Sequence, residues 1–322
     1  MKVFVTYRIP EIGLRELKKR FEVFVNEKDE LLKKEEIIEL ARDADALITL
    51  LADTIDREVI DNLKNLKIIA NYAVGYNNID VDYAKQKGIL VTNTPDVLTE
   101  TTADLAWALL LSVARRIVEA DKFVREGKFK GWRPELLLGD DVFGKTLGVI
   151  GFGRIGQAVA KRALGFNMKV LYYSRTRKSE ELERRLNATY VSLEELLKSS
   201  DFITIHTPLT KETYHLIDRK EFEIMKDGSY LINTSRGPVV NEKELVNALK
   251  SGKIKGAALD VFENEPEVTS ELLQMDNVVL APHIGSASVE TREKMALMVV
   301  ENVIAALDGL RPPNLVPELK LS

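Results

Sequence analysis

Residues 146–156 read Thr-Leu-Gly-Val-Ile-Gly-Phe-Gly-Arg-Ile-Gly, a short apolar strand, a tight turn and the opening of a helix. The glycines fall at G-x-G-x-x-G spacing. Gly151 lets the chain turn, Gly153 lets a pyrophosphate approach the backbone, and Gly156 lets the helix pack on the strand. The helix start offers N–H groups and a positive dipole end to phosphate. Such a motif demands a parallel α/β sheet around it. It begins near the middle of 322 residues, so a dinucleotide domain inserted into a second domain is expected.

The flanking sequence alternates as that fold requires. Strands are expected at Val3–Thr6, Glu22–Asn26, Ala46–Leu50, Leu66–Tyr72 and Ile89–Thr92, with helices at Glu11–Arg20, Lys34–Arg42, Asp56–Leu63 and Val81–Lys87 between them. Strands alternating with helices imply βαβ units and parallel sheets. After Pro95 one long helix is expected over Thr99–Ala120, then an irregular stretch, Gly127–Gly139. A second series has strands at Leu147–Ile150, Lys169–Tyr173, Phe202–His206, Tyr230–Thr234, Gly256–Val261 and Val278–Ala281. A helix, Ser288–Leu307, then returns to the first domain. It and the helix at Thr99–Ala120 are the hinge candidates.

Composition narrows the function. The net charge of −4 gives no basic excess for nucleic acid or anionic membrane. There is no cysteine, which excludes disulfides, thiolate catalysis and cysteine-ligated metal, and three histidines argue against a His-rich metal site. The first residues lack the apolar core of a signal peptide, and a cytoplasmic protein is expected.

In open parallel sheets ligands bind beyond the carboxyl ends of the strands. Arg236-Gly237 follows one strand, Glu263-Asn-Glu265-Pro266 another, and His283-Ile-Gly-Ser286 a third. Hydride transfer to a carbonyl needs those residue types. Histidine is an acid/base near neutral pH. A guanidinium holds a carboxylate and polarises a carbonyl. A carboxylate orients the imidazole and favours its charged form. Taken singly, Arg236 reads as a helix cap or surface partner, Glu265 as a solvated loop residue and His283 as a turn residue. Together, around a nucleotide turn, they read as a catalytic set. His206, ahead of Thr207 and Pro208, is read as lining the cofactor groove, and His215 as structural.

With these segments in view, the chain resembles the D-isomer-specific 2-hydroxyacid dehydrogenases. The matching stretches are Asn71–Asp80, Gly151–Gly156, Asn233–Gly237, Leu259–Pro266 and Pro282–Ser286, which span nearly the whole chain. Leu50–Asp53, Asn71–Asp80 and Gly131–Pro134 most resemble the glyoxylate/hydroxypyruvate reductases within that family. The resemblance implies a Rossmann cofactor domain, residues 98–285, inserted in a flavodoxin-like substrate domain of residues 1–97 and 286–322. It implies a homodimer formed through the cofactor domains. Arg236 would bind the substrate carboxylate and carbonyl. His283 would be the general acid/base, with Glu265 its partner. The backbone near Val74 and Gly75 would hold the carboxylate, with Leu51 and Ser286 shaping the pocket. Asp260 would meet the nicotinamide carboxamide, and the cofactor would also pass Arg154, Ile155, Thr234, Ser235 and His283. One departure is Leu136, where relatives often carry an aromatic that reaches into the partner's active site.

The ribose-recognising acid of NAD-selective sites stands about 20 residues beyond the glycine motif. Here the second strand runs into Ser174-Arg175-Thr176-Arg177-Lys178, with no acid before Glu180. Two hydroxyls and a guanidinium suit a 2′-phosphate. The expectation is NADP(H), with NAD(H) as the alternative because Arg175 can also stack on adenine. The expected reaction is reduction of glyoxylate or hydroxypyruvate to glycolate or D-glycerate, in a cleft that closes on substrate. A D-lactate-type or other D-2-hydroxyacid dehydrogenase, and a nucleotide-sensing corepressor-like binder, are the alternatives. Phosphoglycerate is disfavoured, because Thr49–Asp53 supplies no basic residue for its phosphate.

Overall fold

Short apolar runs bounded by turns make every strand of the first half. The computed structural model describes residues 1–320. Its elements begin β1 (Lys2–Val5), α1 (Glu11–Lys18), β2 (Glu22–Val25), α2 (Lys34–Leu40) and β3 (Ala46–Thr49). They continue with α3 (Arg57–Asn62), β4 (Ile68–Asn71), α4 (Val81–Gln86) and β5 (Leu90–Thr92). All pairings are parallel, in the order β2-β1-β3-β4-β5. This is the flavodoxin-like doubly wound order. Every residue of β3 and β4 is buried, as a parallel strand covered on both faces requires. Asp56 and Asp80 accept the backbone N–H groups of Val59 and Tyr83 and cap α3 and α4, each worth about 1 kcal/mol.

The chain divides into two units, Met1–Leu98 with the stretch from Ser286, and Thr99–Gly285. The second unit opens with α5 (Thr99–Ala114) and α6 (Ile117–Arg125). The single helix expected over 99–120 is therefore two. Arg116 between them is left-handed, with φ +55°. The carbonyl of Ala114 accepts the N–H of Asp140 at 2.9 Å, and Arg116 grips Glu119 through two bonds of 2.8 Å. A tertiary contact, not a helix-breaking residue, ends α5.

Then follow β6 (Thr146–Ile150), α7 (Arg154–Ala163), β7 (Lys169–Tyr173), α8 (Glu180–Leu186), β8 (Ala188–Tyr190), α9 (Leu193–Ser199) and β9 (Phe202–Ile205). After them come α10 (Arg219–Ile224), β10 (Ser229–Asn233), α11 (Glu242–Lys250), β11 (Ile254–Leu259) and β12 (Val278–Leu280). The sheet order is β12-β11-β10-β9-β6-β7-β8, all parallel. Renumbered within the unit this is 3-2-1-4-5-6 with a seventh strand, the Rossmann order. The three-residue edge strand β8 was not expected from sequence. One face of the sheet packs on α5 and α7, where Trp107 stacks on Phe166 and donates to the Val159 carbonyl at 3.0 Å. The other face buries Leu196, Phe222, Leu245 and Leu249, about 1.5–3 kcal/mol for each such side chain.

The last stretch returns to the first unit as α12 (Val289–Leu307) and α13 (Pro317–Lys320). Ser288 caps α12 by accepting the Thr291 N–H. Met295, Val299 and Val303 of α12 join Leu14 and Leu17 of α1 over one face of the first sheet.

Candidate active site

Six neighbouring strands of the second unit end in one register row. Leu280 pairs with Leu259, Leu259 with Asn233, Asn233 with Ile205, Ile205 with Ile150, and Ile150 with Tyr173. The next residues along that edge include Asp260, Thr234, His206, Gly151 and Ser174. The sequence-expected residues of this unit are thus brought together by register.

Each catalytic candidate hangs from a turn just past this row. Arg236 is half-buried, and its Nη1 donates to the Ser235 carbonyl at 2.6 Å. Burial lowers its pKa, and the Glu265 charge opposes that effect. His283 is left-handed, φ +54°, a costly conformation for a residue with a Cβ. Its Nδ1 meets Glu265 Oε2 at 2.8 Å, which leaves Nε2 for other chemistry. Glu265 Oε1 accepts the Phe262 N–H at 3.1 Å. Burial pushes the Glu265 carboxyl up, but the His283 bond and charge, the Phe262 N–H and Arg236 together hold it below its ordinary value. One carboxylate therefore faces both cationic candidates.

Sequence reading did not single out Asn233, which shapes the arginine turn. Its Oδ1 accepts from the Ser235 N–H and hydroxyl at 3.0 and 2.9 Å, and its Nδ2 donates to the Arg236 carbonyl at 3.0 Å. The available signal was a polar residue closing a wholly buried strand.

The glycine turn fits a dinucleotide. Gly151 has φ +91°, and a Cβ there would meet the His206 carbonyl at 2.6 Å. A Cβ on Gly156 would collide with the Gly151 carbonyl, while Gly153 faces open space. Gly153 caps α7 without a side-chain bond, and a helix N-terminus of this kind suits a phosphate. Along the same edge Asp260 Oδ2, Thr234 Oγ1, Thr207 Oγ1 and His206 Nδ1 are buried without partners. Such orphans call for a polar ligand. Burial pushes the His206 pKa down to about 3. It stays neutral at physiological pH and is not available as an imidazolium. His215 meets Glu263 at 2.6 Å, apart from His283.

Asp260 is 1% exposed, and burial pushes its pKa up to about 6, against the N–H bond from Ile284 at 2.7 Å. The folded state prefers the protonated acid. Its stability is therefore full below the ordinary value of 3.8 and is lost as pH rises through about 6. We expect Asp260→Asn to raise stability at pH 8 by on the order of 1–2 kcal/mol, after allowance for partial solvation. The gain should vanish below pH ~4, and urea melts at the two pH values check it.

Past β7, Ser174 Oγ donates to the Thr176 carbonyl at 2.7 Å. Arg177 is engaged by Glu183 through bonds of 3.0 and 2.8 Å. The Arg177 and Tyr172 bonds pull the Glu183 pKa down to about 2. Arg175 stays exposed, so Arg175 and not Arg177 is the guanidinium left on this turn.

The remaining candidates lie in the first unit. Leu51 is in the loop after β3, where Asp53, 3% exposed, accepts from the Thr6 hydroxyl at 2.5 Å and the Leu50 N–H at 2.7 Å. Val74 and Gly75 follow β4, and their carbonyls accept from Asn93 and Asn71 at 2.8 and 2.7 Å. The Ser286 carbonyl accepts the Arg292 Nε at 3.3 Å.

Comparison with known proteins points to one family. Residues 107–285 match the profile of the D-isomer specific 2-hydroxyacid dehydrogenase, NAD binding domain. The chain is 56% identical to a protein of Thermococcus litoralis named glyoxylate reductase, over 98% of this chain and 96% of that one. A solved protein of Thermus thermophilus superimposes with TM-score 0.93 at 49% identity, covering 98% of this chain and all of that one. The NADPH-dependent glyoxylate/hydroxypyruvate reductase of Sinorhizobium meliloti, solved with NADP and malonate, gives 0.86 at 35% identity, covering 98% and 97%. Sequence, sheet order and strand-end chemistry converge: this chain belongs to the D-isomer specific 2-hydroxyacid dehydrogenase family, an enzyme family that works with a nicotinamide cofactor.

Proposed function

We propose that the protein reduces glyoxylate and hydroxypyruvate to glycolate and D-glycerate, with NADPH as the preferred reductant. The observation that carries the substrate reading is near-full-length identity of 53–56% to seven archaeal proteins named glyoxylate reductase. Bound cofactor supplies the hydride that adds to the carbonyl carbon. Arg236 holds the 2-keto acid carboxylate and stabilises charge growing on the carbonyl oxygen. His283, oriented through Nδ1 by Glu265, gives the Nε2 proton to that oxygen and recovers one from solvent. Thr234, Ser235, Asp260 and the turn at Gly151, Gly153, Arg154, Ile155 and Gly156 hold the dinucleotide, with His206, Thr207 and Pro208 alongside. The first unit serves as substrate domain: backbone near Val74 and Gly75 receives the carboxylate, and Leu51 and Ser286 shape the pocket.

Support for NADPH comes from the turn after β7, which presents Ser174, Arg175 and Thr176 and no acid. Arg175→Ala is expected to weaken NADPH by about 10–100-fold, a lost charge-assisted bond, and NADH by only a few-fold. Titration of nicotinamide fluorescence measures both, and equal losses would contradict the assignment. We further read a cytoplasmic homodimer joined through the cofactor unit. Val124, Phe129 and Trp132 support it as exposed apolar side chains of that unit, Trp132 by 83%. Among the described residues, no helix is long and apolar enough to cross a membrane.

A further inference from the structure

Behind the Glu265 loop lies a cluster that the proposed chemistry does not use. Glu242, the first residue of α11, is only 4% exposed. Its backbone N–H donates to Glu263 Oε2 at 3.0 Å, and the Glu263 N–H donates back to Glu242 Oε1 at 2.7 Å. The second Glu242 oxygen takes the Thr269 hydroxyl. Glu263 Oε1 meets His215 Nε2 at 2.6 Å. His215 is left-handed, φ +49°, and its N–H donates to the Pro238 carbonyl at 2.8 Å. Two inward carboxylates are thus clamped to each other's backbone, with an imidazole closing the set.

The clamp sits where the catalytic turns meet. Gly237, next to Arg236, leaves no room for a Cβ, which would overlap the peptide joining Phe262 to Glu263. Two residues on, Glu265 faces His283. One peptide therefore carries the arginine turn on one side and the Glu265 loop on the other, and Glu263 at its far end is tied both to α11 and to His215.

We propose that His215, Glu263 and Glu242 are positioning residues that fix the spacing of Arg236, Glu265 and His283. This rests on the catalytic assignment given under Proposed function. They touch no reacting atom and act through the Phe262–Glu263 peptide. Misplacement by about 1 Å costs on the order of 100-fold in turnover, so releasing the clamp should be kinetically visible.

Only three histidines are present, so each imidazole can be assigned by NMR in single-histidine variants. In Glu263→Ala the ring resonances of His283 should shift in the direction they shift in Glu265→Gln. Turnover should fall about 10–100-fold with the NADPH Kd unchanged, and Glu263→Gln, which still bonds both neighbours, should fall less. In a Glu265→Gln background, Glu263→Ala should cost less than it does alone, because part of its effect passes through Glu265. Unchanged His283 resonances and turnover in a folded Glu263→Ala protein would overturn the proposal, as would losses that multiply fully in the double variant. If Glu263→Ala does not fold, His215→Gln, which removes the imidazole from Glu263 Oε1, carries the same tests. Retained turnover in His283→Ala would remove the catalytic assignment alone, since the substrate-free spectrum still judges the clamp.

Discussion

His283→Ala is expected to lower kcat for glyoxylate reduction by about 10²–10⁴-fold, the usual contribution of a placed general acid. Its Nδ1 is committed to Glu265 at 2.8 Å, so Nε2 is the atom proposed to deliver the proton. Removal of the ring leaves water to protonate the growing alkoxide. NADPH binding should change little, because phosphate recognition is proposed to rest on the glycine turn and on Ser174–Thr176. Stopped-flow and steady-state rates check both parts, and near-normal turnover would remove His283 from the mechanism.

The second large effect concerns Arg236. Arg236→Ala should lower kcat/KM for glyoxylate by at least about 10³-fold, because the guanidinium is proposed both to anchor the carboxylate and to stabilise the oxyanion. Arg236→Lys should recover only a small part of that loss. An ammonium cannot present two parallel N–H groups, and lysine is less suited to this half-buried position. The comparison of KM with kcat separates the two roles. Loss confined to KM would leave Arg236 as an anchor only.

Much of this arrangement was readable from the chain because parallel strands buried on both faces write themselves as apolar runs. The polar residue ending each run then marks the ligand edge. Gly151, Arg236, Glu265 and His283 were found that way, and the strand register shows why Asp260, Thr234, His206 and Ser174 fall beside them. What escaped reading depends on distant partners. The break at Arg116 comes from the Ala114 carbonyl meeting Asp140, and nothing local in Arg115-Arg116-Ile117 announces it. Asn233 shows its purpose only once its side chain is seen gripping the turn. His215 and Glu263 lie 48 residues apart, a pairing that no periodicity encodes. The basic turn after β7 was legible as charge, but the engagement of Arg177 by Glu183 was not.

The central claim is that these strand ends perform nicotinamide-dependent reduction of a small 2-keto acid. Initial rates with NADPH and with NADH should be measured against glyoxylate, hydroxypyruvate, pyruvate and a bulkier 2-keto acid. Rapid turnover of the first two, faster with NADPH, is the predicted result. Tight cofactor binding with no oxidation by either small substrate, or faster turnover of pyruvate and the bulkier acid, would contradict it.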